Sequence, residues 1–167
     1  MTTFVSIAQS ESEAKSRNIK WGMQYRFSNG TSALANRVCY GYKHSKEGEL
    51  VPDEEKADIV RMIFRLYLEG KSLLAISKEL HKLRIPSPTG KETWTSCAID
   101  KLLSNEKYIG EVLLQKTFVP DMFHPVQIKN NGERMRYLYE NNHVGIIDRE
   151  VFDAVQLEKE RRSRRKV

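Results

Sequence analysis

Cysteine is scarce in this chain: only Cys39 and Cys97 occur among 167 residues, and they form no Cys-x-x-Cys pair or other ligand cluster. A zinc site is therefore not expected, and each cysteine reads as a small buried apolar residue in a reducing cytosol. Long apolar runs are also missing. Nothing approaches the roughly 18 residues needed to cross a bilayer, and the N-terminus has no basic-then-apolar signal pattern, so no membrane partner is expected. The four histidines, His44, His81, His124 and His143, are scattered without metal-ligand spacing and read as ordinary surface residues. Gly90-Lys91 is followed by Glu92, which breaks the phosphate-loop pattern. No acidic pair, nucleophile elbow or cysteine with a positioned base is found, so the chain shows no self-sufficient catalytic constellation and no cofactor is expected.

What is present is positive charge and helical order. The net charge is +6, with 40% hydrophobic and 30% charged residues, enough for one sizeable core or two small ones. A positive field favours phosphate-rich partners, but charge alone does not name the partner; position must decide.

From Ser6 to Asn29 the pattern is a polar helix with a narrow stripe of Ile19, Met23 and Phe27, ended by Gly30. Thr31 to Gly48 reads as a linker and a turn at Lys46-Glu47-Gly48, with Leu50 and Val51 extended. Three helices follow. Asp53 caps the first, whose apolar residues Ile59, Val60, Met62, Ile63, Phe64, Leu66, Tyr67 and Leu68 cover so much circumference that it must be the core helix, ending at Gly70. Ser72 caps the second, with Leu73, Ile76, Leu80 and Leu83 on its inner side. The connector RIPSPTGKE interrupts the helical run. Thr95 caps the third helix, which turns Trp94, Ala98, Ile99, Leu102 and Leu103 one way and Ser96, Asp100 and Lys101 the other. After Asn105, Tyr108, Ile109, Val112 to Leu114 and Thr117 to Val119 read as strands, and the polar stretch around Asn130-Asn131-Gly132 reads as a hairpin with a mobile tip. Asp148 caps a last helix through Leu157, which runs out into a charged, fraying end.

The expected fold class is α+β and mostly helical: a winged helix-turn-helix-like three-helix core with a β-hairpin or small sheet, flanked by N- and C-terminal helices. A plain three-helix bundle with a sheet fits the pattern as well. The third helix favours the former, because Thr95 and Ser96 are small hydroxyl residues that allow close approach to phosphate, where Glu and Lys would coat a merely solvated face. Lys91 before it and Lys107 after it are placed to clamp backbone phosphates. On the hairpin, Lys116, Lys129, Arg134 and Arg136 are the candidate backbone contacts, beside Tyr137 and Tyr139. A stand-alone winged-helix transcription regulator and a protein-interaction module with a merely solvated basic face are the competing readings.

Read in order, these segments resemble the large serine recombinases of the phage-integrase and transposon-excision type. SIAQSESEAKSRNIKWGM is similar to the end of the helix joining their catalytic and DNA-binding parts, and CYGYKH to the Gly-Tyr segment opening the recombinase domain. SLLAISKELHKLRIPSPTGKETWTSCAIDKLLSNEKYIGEVLLQKTF carries the proline connector, Trp94, the next helix and an Asn-x-x-Tyr-Ile-Gly run in the family's order, and ENNHVGIIDREVFDAVQ resembles its closing helix. The resemblance implies residues 1–30 as linker helix, 31–52 as linker segment, 53–158 as DNA-binding domain and 159–167 as a charged tail. It implies a double-stranded attachment-site DNA partner, other recombinase subunits, and strand cleavage and religation by a serine in a catalytic domain expected before Ser6. A zinc ribbon is expected after Val167, so the chain is expected to be a fragment, inactive alone. Asn36, Arg37 and Lys43, in the segment that follows the linker helix, would track the backbone or minor groove. The expected location is a bacterial or phage-encoded, nucleoid-associated cytoplasmic setting.

Overall fold

A computed structural model describes residues 2–120 and 126–164, with side chains from residue 11 onward. His124 and the end of the charged tail, residues 165–167, lie outside the described residues. The described chain is α+β and mostly helical. In order it runs α1 (Thr2–Ser28), β1 (Tyr42–His44), β2 (Leu50–Pro52), α2 (Glu54–Leu68), α3 (Leu73–Lys82) and α4 (Ser96–Leu103). A 3-10 turn (Glu106–Ile109) follows, then β3 (Val112–Leu114), β4 (Thr117–Phe118), β5 (Ile128–Lys129), β6 (Tyr137–Tyr139) and α5 (Arg149–Arg164). These elements fall into two compact units, one of residues 1–37 and 112–139, the other of 38–111 and 140–167.

The larger unit is built on α2, as its all-round apolar surface demands. Ala57, Val60, Ile63 and Phe64 are wholly buried, and Ile76 and Leu80 of α3 with Ile99 and Leu103 of α4 close over them. Helix starts follow local chemistry. The Ser72 hydroxyl accepts from the Ala75 N–H, and the Thr95 hydroxyl from the Ala98 N–H. Asp53 stands at the start of α2 without bonding an N–H; its carboxylate is held by Lys56 at 2.9 Å.

Besides Tyr108 and Ile109, expected in a strand but placed in the 3-10 turn Glu106–Ile109, which the Asn105 side chain caps and Gly110 ends at φ +82, two longer segments of this unit depart from the sequence pattern. The stretch before Gly48 contains a strand, because β1 pairs antiparallel with β2 in the register Tyr42↔Pro52. What fixes it is distant: the Tyr42 hydroxyl donates to the carbonyls of Lys107 (2.9 Å) and Val144 (3.0 Å). Gly41, at φ +94, lies so close to Val60 and Ile146 that a Cβ would meet both at 3.0 Å. The second departure is α5, which does not fray after Leu157 but continues to Arg164. Arg162 lies over the Tyr67 ring at 4.1 Å and donates to the carbonyls of Tyr67, at the end of α2, and Lys71, just beyond it. Gln156 donates to the Leu103 carbonyl at 2.8 Å and Lys159 pairs with Asp100 at 2.7 Å, so α5 holds α4 as well.

In the smaller unit, Phe27 at the end of α1 is buried with Ala35, Val112 and Leu114, against Tyr137 and Tyr139. β3 pairs antiparallel with β6 (Leu113↔Leu138) and β4 with β5 (Thr117↔Lys129). The Tyr139 hydroxyl donates to the Phe27 carbonyl. Ile19 and Met23, the rest of the stripe read on α1, are 64% and 42% exposed, and the stacked pair Trp21 and Tyr25 lies on another side of the helix, also exposed. Among the described residues no helix is long and apolar enough to cross a membrane.

Candidate nucleic-acid interface

The residues singled out on the third helix stand where the pattern places them. Thr95, Ser96 and Lys101 are exposed on α4, while Ile99, Leu102 and Leu103 are buried beneath it. The start of α4 is fixed by Trp94, 2% exposed, whose indole N–H donates to the Ile85 carbonyl at 3.2 Å. Its own carbonyl accepts from the Ser77 hydroxyl at 2.5 Å, and its ring meets Tyr40 edge-on at 5.0 Å. The proline connector closes on itself, with the Ser87 N–H donating to the Lys91 carbonyl at 2.8 Å and the Lys91 N–H to the Ser87 hydroxyl at 3.1 Å. Lys91 is thereby held on a short closed turn with its side chain exposed. The face beneath α4 is locked by apolar packing, and the face above is polar, small and open to solvent. Asp100 is the exception, half-buried and paired with Lys159.

Cys97 departs from expectation. It is exposed on α4, one turn before Lys101, and is not the small buried apolar residue its type suggested. The signal was in the spacing: positions 97 and 101 share a helix face, and the buried positions 99, 102 and 103 exclude it. Cys39 is the half-buried one, and burial raises its thiol pKa despite the nearby Lys107 charge.

Lys107 sits half-buried in the 3-10 turn, with its carbonyl held by the Tyr42 hydroxyl and the His143 Nε2–H (2.7 Å). Gly110 ends that turn at φ +82, where a Cβ would collide with the His143 carbonyl. His143 is thus no ordinary surface histidine: it is half-buried, edge-on to Tyr42 at 4.9 Å, and burial lowers its pKa, with the Lys107 charge lowering it further against the opposing hydrogen bond. Above about pH 6.5 the ring is neutral in both folded and unfolded chains. As pH falls through that value the unfolded chain takes up a proton that the folded chain resists, so stability is lost until the lowered folded pKa is reached. Melting temperatures between pH 7.5 and pH 5 should therefore drop more steeply in the unaltered chain than in His143→Gln, whose amide keeps a donor for the Lys107 carbonyl; parallel profiles would contradict the assignment. Lys43, on β1 of the same unit, is exposed between buried Tyr42 and His44.

The other candidates belong to the smaller unit. Asn36 and Arg37 are exposed in the segment after α1. Lys116 and Lys129 are exposed at the β4–β5 pair, Arg136 is exposed before β6, and Arg134 is half-buried with its guanidinium 4.6 Å from the Phe118 ring centre. The expected mobile tip is instead anchored: Asn130 is 1% exposed. Its side chain donates to the carbonyls of Gln115 and Arg134 and accepts from the N–H groups of Gly132 and Arg134. An Asn-x-Gly sequence signals a turn but not which way its first side chain points, which is why this residue escaped notice. The structure therefore leaves Ser96 and Lys101 on the exposed side of α4 with Thr95 at its start, and Lys116, Lys129, Arg134 and Arg136 on one strand assembly; Lys43, Lys91 and Lys107 of the larger unit lie on β1, the connector and the 3-10 turn, and Asn36 and Arg37 of the smaller unit follow α1. Among the described residues no group of three or more His, Cys, Asp or Glu side chains is placed to hold a metal.

An uncharacterised Escherichia coli K12 protein, YbcK, is 32% identical over 108 residues, covering 62% of this chain and 21% of its own length. A protein solved in a study of the sequence requirements of the Listeria innocua prophage attP site shares the fold, with a TM-score of 0.54 at 24% identity over 86% of this chain and 52% of its own. A chain from the crystal structure of an LSR–DNA complex aligns over 78% of this chain and 34% of its own, with 24% identity and a TM-score of 0.48. The chain thus spans about a fifth of the curated relative it matches. The family model described as Recombinase matches residues 54–162, from the first residue of α2 into the last turn of α5. That stretch includes α3, the connector, α4 and Gln156 and Lys159 of α5, and the chain belongs to the Recombinase family.

Proposed function

We propose that this chain is a DNA-binding segment of a site-specific serine recombinase and that it reads duplex attachment-site DNA with the outward face of α4. The observation that carries this reading is the division of α4 into a sealed apolar side and an exposed side of Thr95, Ser96, Cys97 and Lys101. Eight residues rise about 12 Å, and a major groove about 12 Å wide admits a helix. Small hydroxyl side chains at its start let the helix approach base edges and phosphates, and the pinning of both ends by Trp94 and α5 presents the face without further ordering cost. In this reading α3 and α4 act as a helix-turn-helix with an enlarged connector, and Lys91 and Lys107 contact phosphates. The cations of the smaller unit form a second contact surface, with Asn36 and Arg37 along the backbone. In the whole recombinase, encoded by a bacterium, phage or mobile element and acting in the cytoplasm, strand cleavage and religation belong to a catalytic domain and to partner subunits, not to residues of this chain.

The test begins with a random duplex library, from which the 167-residue chain selects its ligand. Titration of the selected and a scrambled duplex at several salt concentrations should give a log–log slope of about −4 to −5, for about 5 neutralised phosphates. Affinity that does not change with salt, or selection that enriches no sequence, would reject the proposal.

A further inference from the structure

The connection between β5 and β6 is held more firmly than a solvent-exposed turn requires. Besides the side-chain bonds of Asn130, its N–H donates to the Lys116 carbonyl at 2.8 Å, and the chain beyond Arg134 enters β6 in register with β3. The Glu133 carboxylate is turned back onto the Asn131 N–H at 2.6 Å, so the one acidic group of the turn is engaged by the turn itself. Out of this braced segment projects Met135, 73% exposed, the most exposed large apolar side chain among the described residues. It stands between Arg134 and Arg136. An isolated exposed apolar residue needs no explanation on a loose surface. Here it has exposed Arg136 on one side and Arg134, packed over the Phe118 ring, on the other, on a backbone whose direction is fixed by a buried asparagine, which is the arrangement of a preformed contact.

Resting on the reading of this chain as a binder of duplex DNA, we infer that Arg134-Met135-Arg136 is a minor-groove wedge, with Met135 pressed against or between base pairs. A minor groove about 6 Å wide excludes a helix but admits single side chains, and its negative potential draws arginine. Methionine is among the apolar residues used to unstack a base step, and flanking cations hold such a wedge in place. Charge complementarity selects DNA over an apolar protein partner: Lys116 and Lys129 on the same strand assembly add to the two arginines.

The experiment uses the full 167-residue chain and the library-selected duplex, carrying a dye at each end and 2-aminopurine at its pyrimidine–purine steps. Binding by the unaltered chain should increase end-to-end energy transfer and brighten 2-aminopurine at one step. Met135→Ala should abolish both signals and weaken binding about five- to tenfold, as loss of part of one buried apolar side chain does, while Met135→Leu should preserve them. Arg136→Ala should reduce the salt slope by about 1. If Met135→Ala bends and unstacks the duplex as the unaltered chain does, the wedge is wrong, and the salt-dependent, sequence-selective binding that survives leaves the α4 reading standing. If the unaltered chain binds tightly without bending or unstacking, the wedge is likewise overturned.

Discussion

Replacement of Trp94 by alanine is expected to cost about 3–5 kcal/mol of stability, a large part of what a domain of this size possesses. The indole is 2% exposed and sits where the connector, α3 and the start of α4 converge. Its removal leaves a cavity and strips the Ile85 carbonyl of its donor. Denaturant titration followed by far-UV circular dichroism would measure the loss. Trp21→Ala is the internal control, since that ring is 68% exposed and its removal should change stability by no more than about 0.5 kcal/mol. Equal effects of the two substitutions would show that the α4 seat does not depend on Trp94.

The second large effect concerns function. Ser96→Glu puts a carboxylate on the exposed first residue of α4 without touching the packed side, so the fold should persist. Near the helix N-terminus the added charge even favours the helix. Against DNA it faces phosphate and acceptor-rich base edges, and affinity for the selected duplex should fall about 10- to 100-fold, or roughly 1–3 kcal/mol. Glu79→Ala on α3, whose carboxylate lies 3.9 Å from Lys71, should leave affinity nearly unchanged. Fluorescence anisotropy at one salt concentration would compare them. Should both variants bind alike, the wrong helix has been placed on DNA.

These two residues also mark how far the chain can be read without its fold. Ser96 was placed outward by spacing alone, because a helix with buried residues at 99, 102 and 103 has a determined opposite face. Trp94 was placed inward by the same reasoning, but its hydrogen bond to a carbonyl in the connector was not foreseeable. The caps Ser72 and Thr95 were legible because a hydroxyl serves a donor only three residues away. The strand β1, the docking of Arg162 on the end of α2 and the half-buried His143 were not legible. Each depends on a partner far along the chain, such as Tyr42 on Lys107 and Val144, or Arg162 on Tyr67.

By itself the sequence determined the three central helices, the caps at Ser72 and Thr95, the strand segments from Val112 on and the family, since each of these rests on local periodicity, local hydrogen bonding or the order of motifs. Tertiary structure alone decided which polar groups are spoken for. Arg162 and Lys159, part of an apparently free basic tail, are spent on the carbonyl ends and side chains of α2 and α4, while Cys97 and Met135, apolar by type, are left to the solvent. The physical reason is that a charge or an apolar surface is satisfied by whatever the fold brings within a few ångströms, and spacing along the chain does not carry that information.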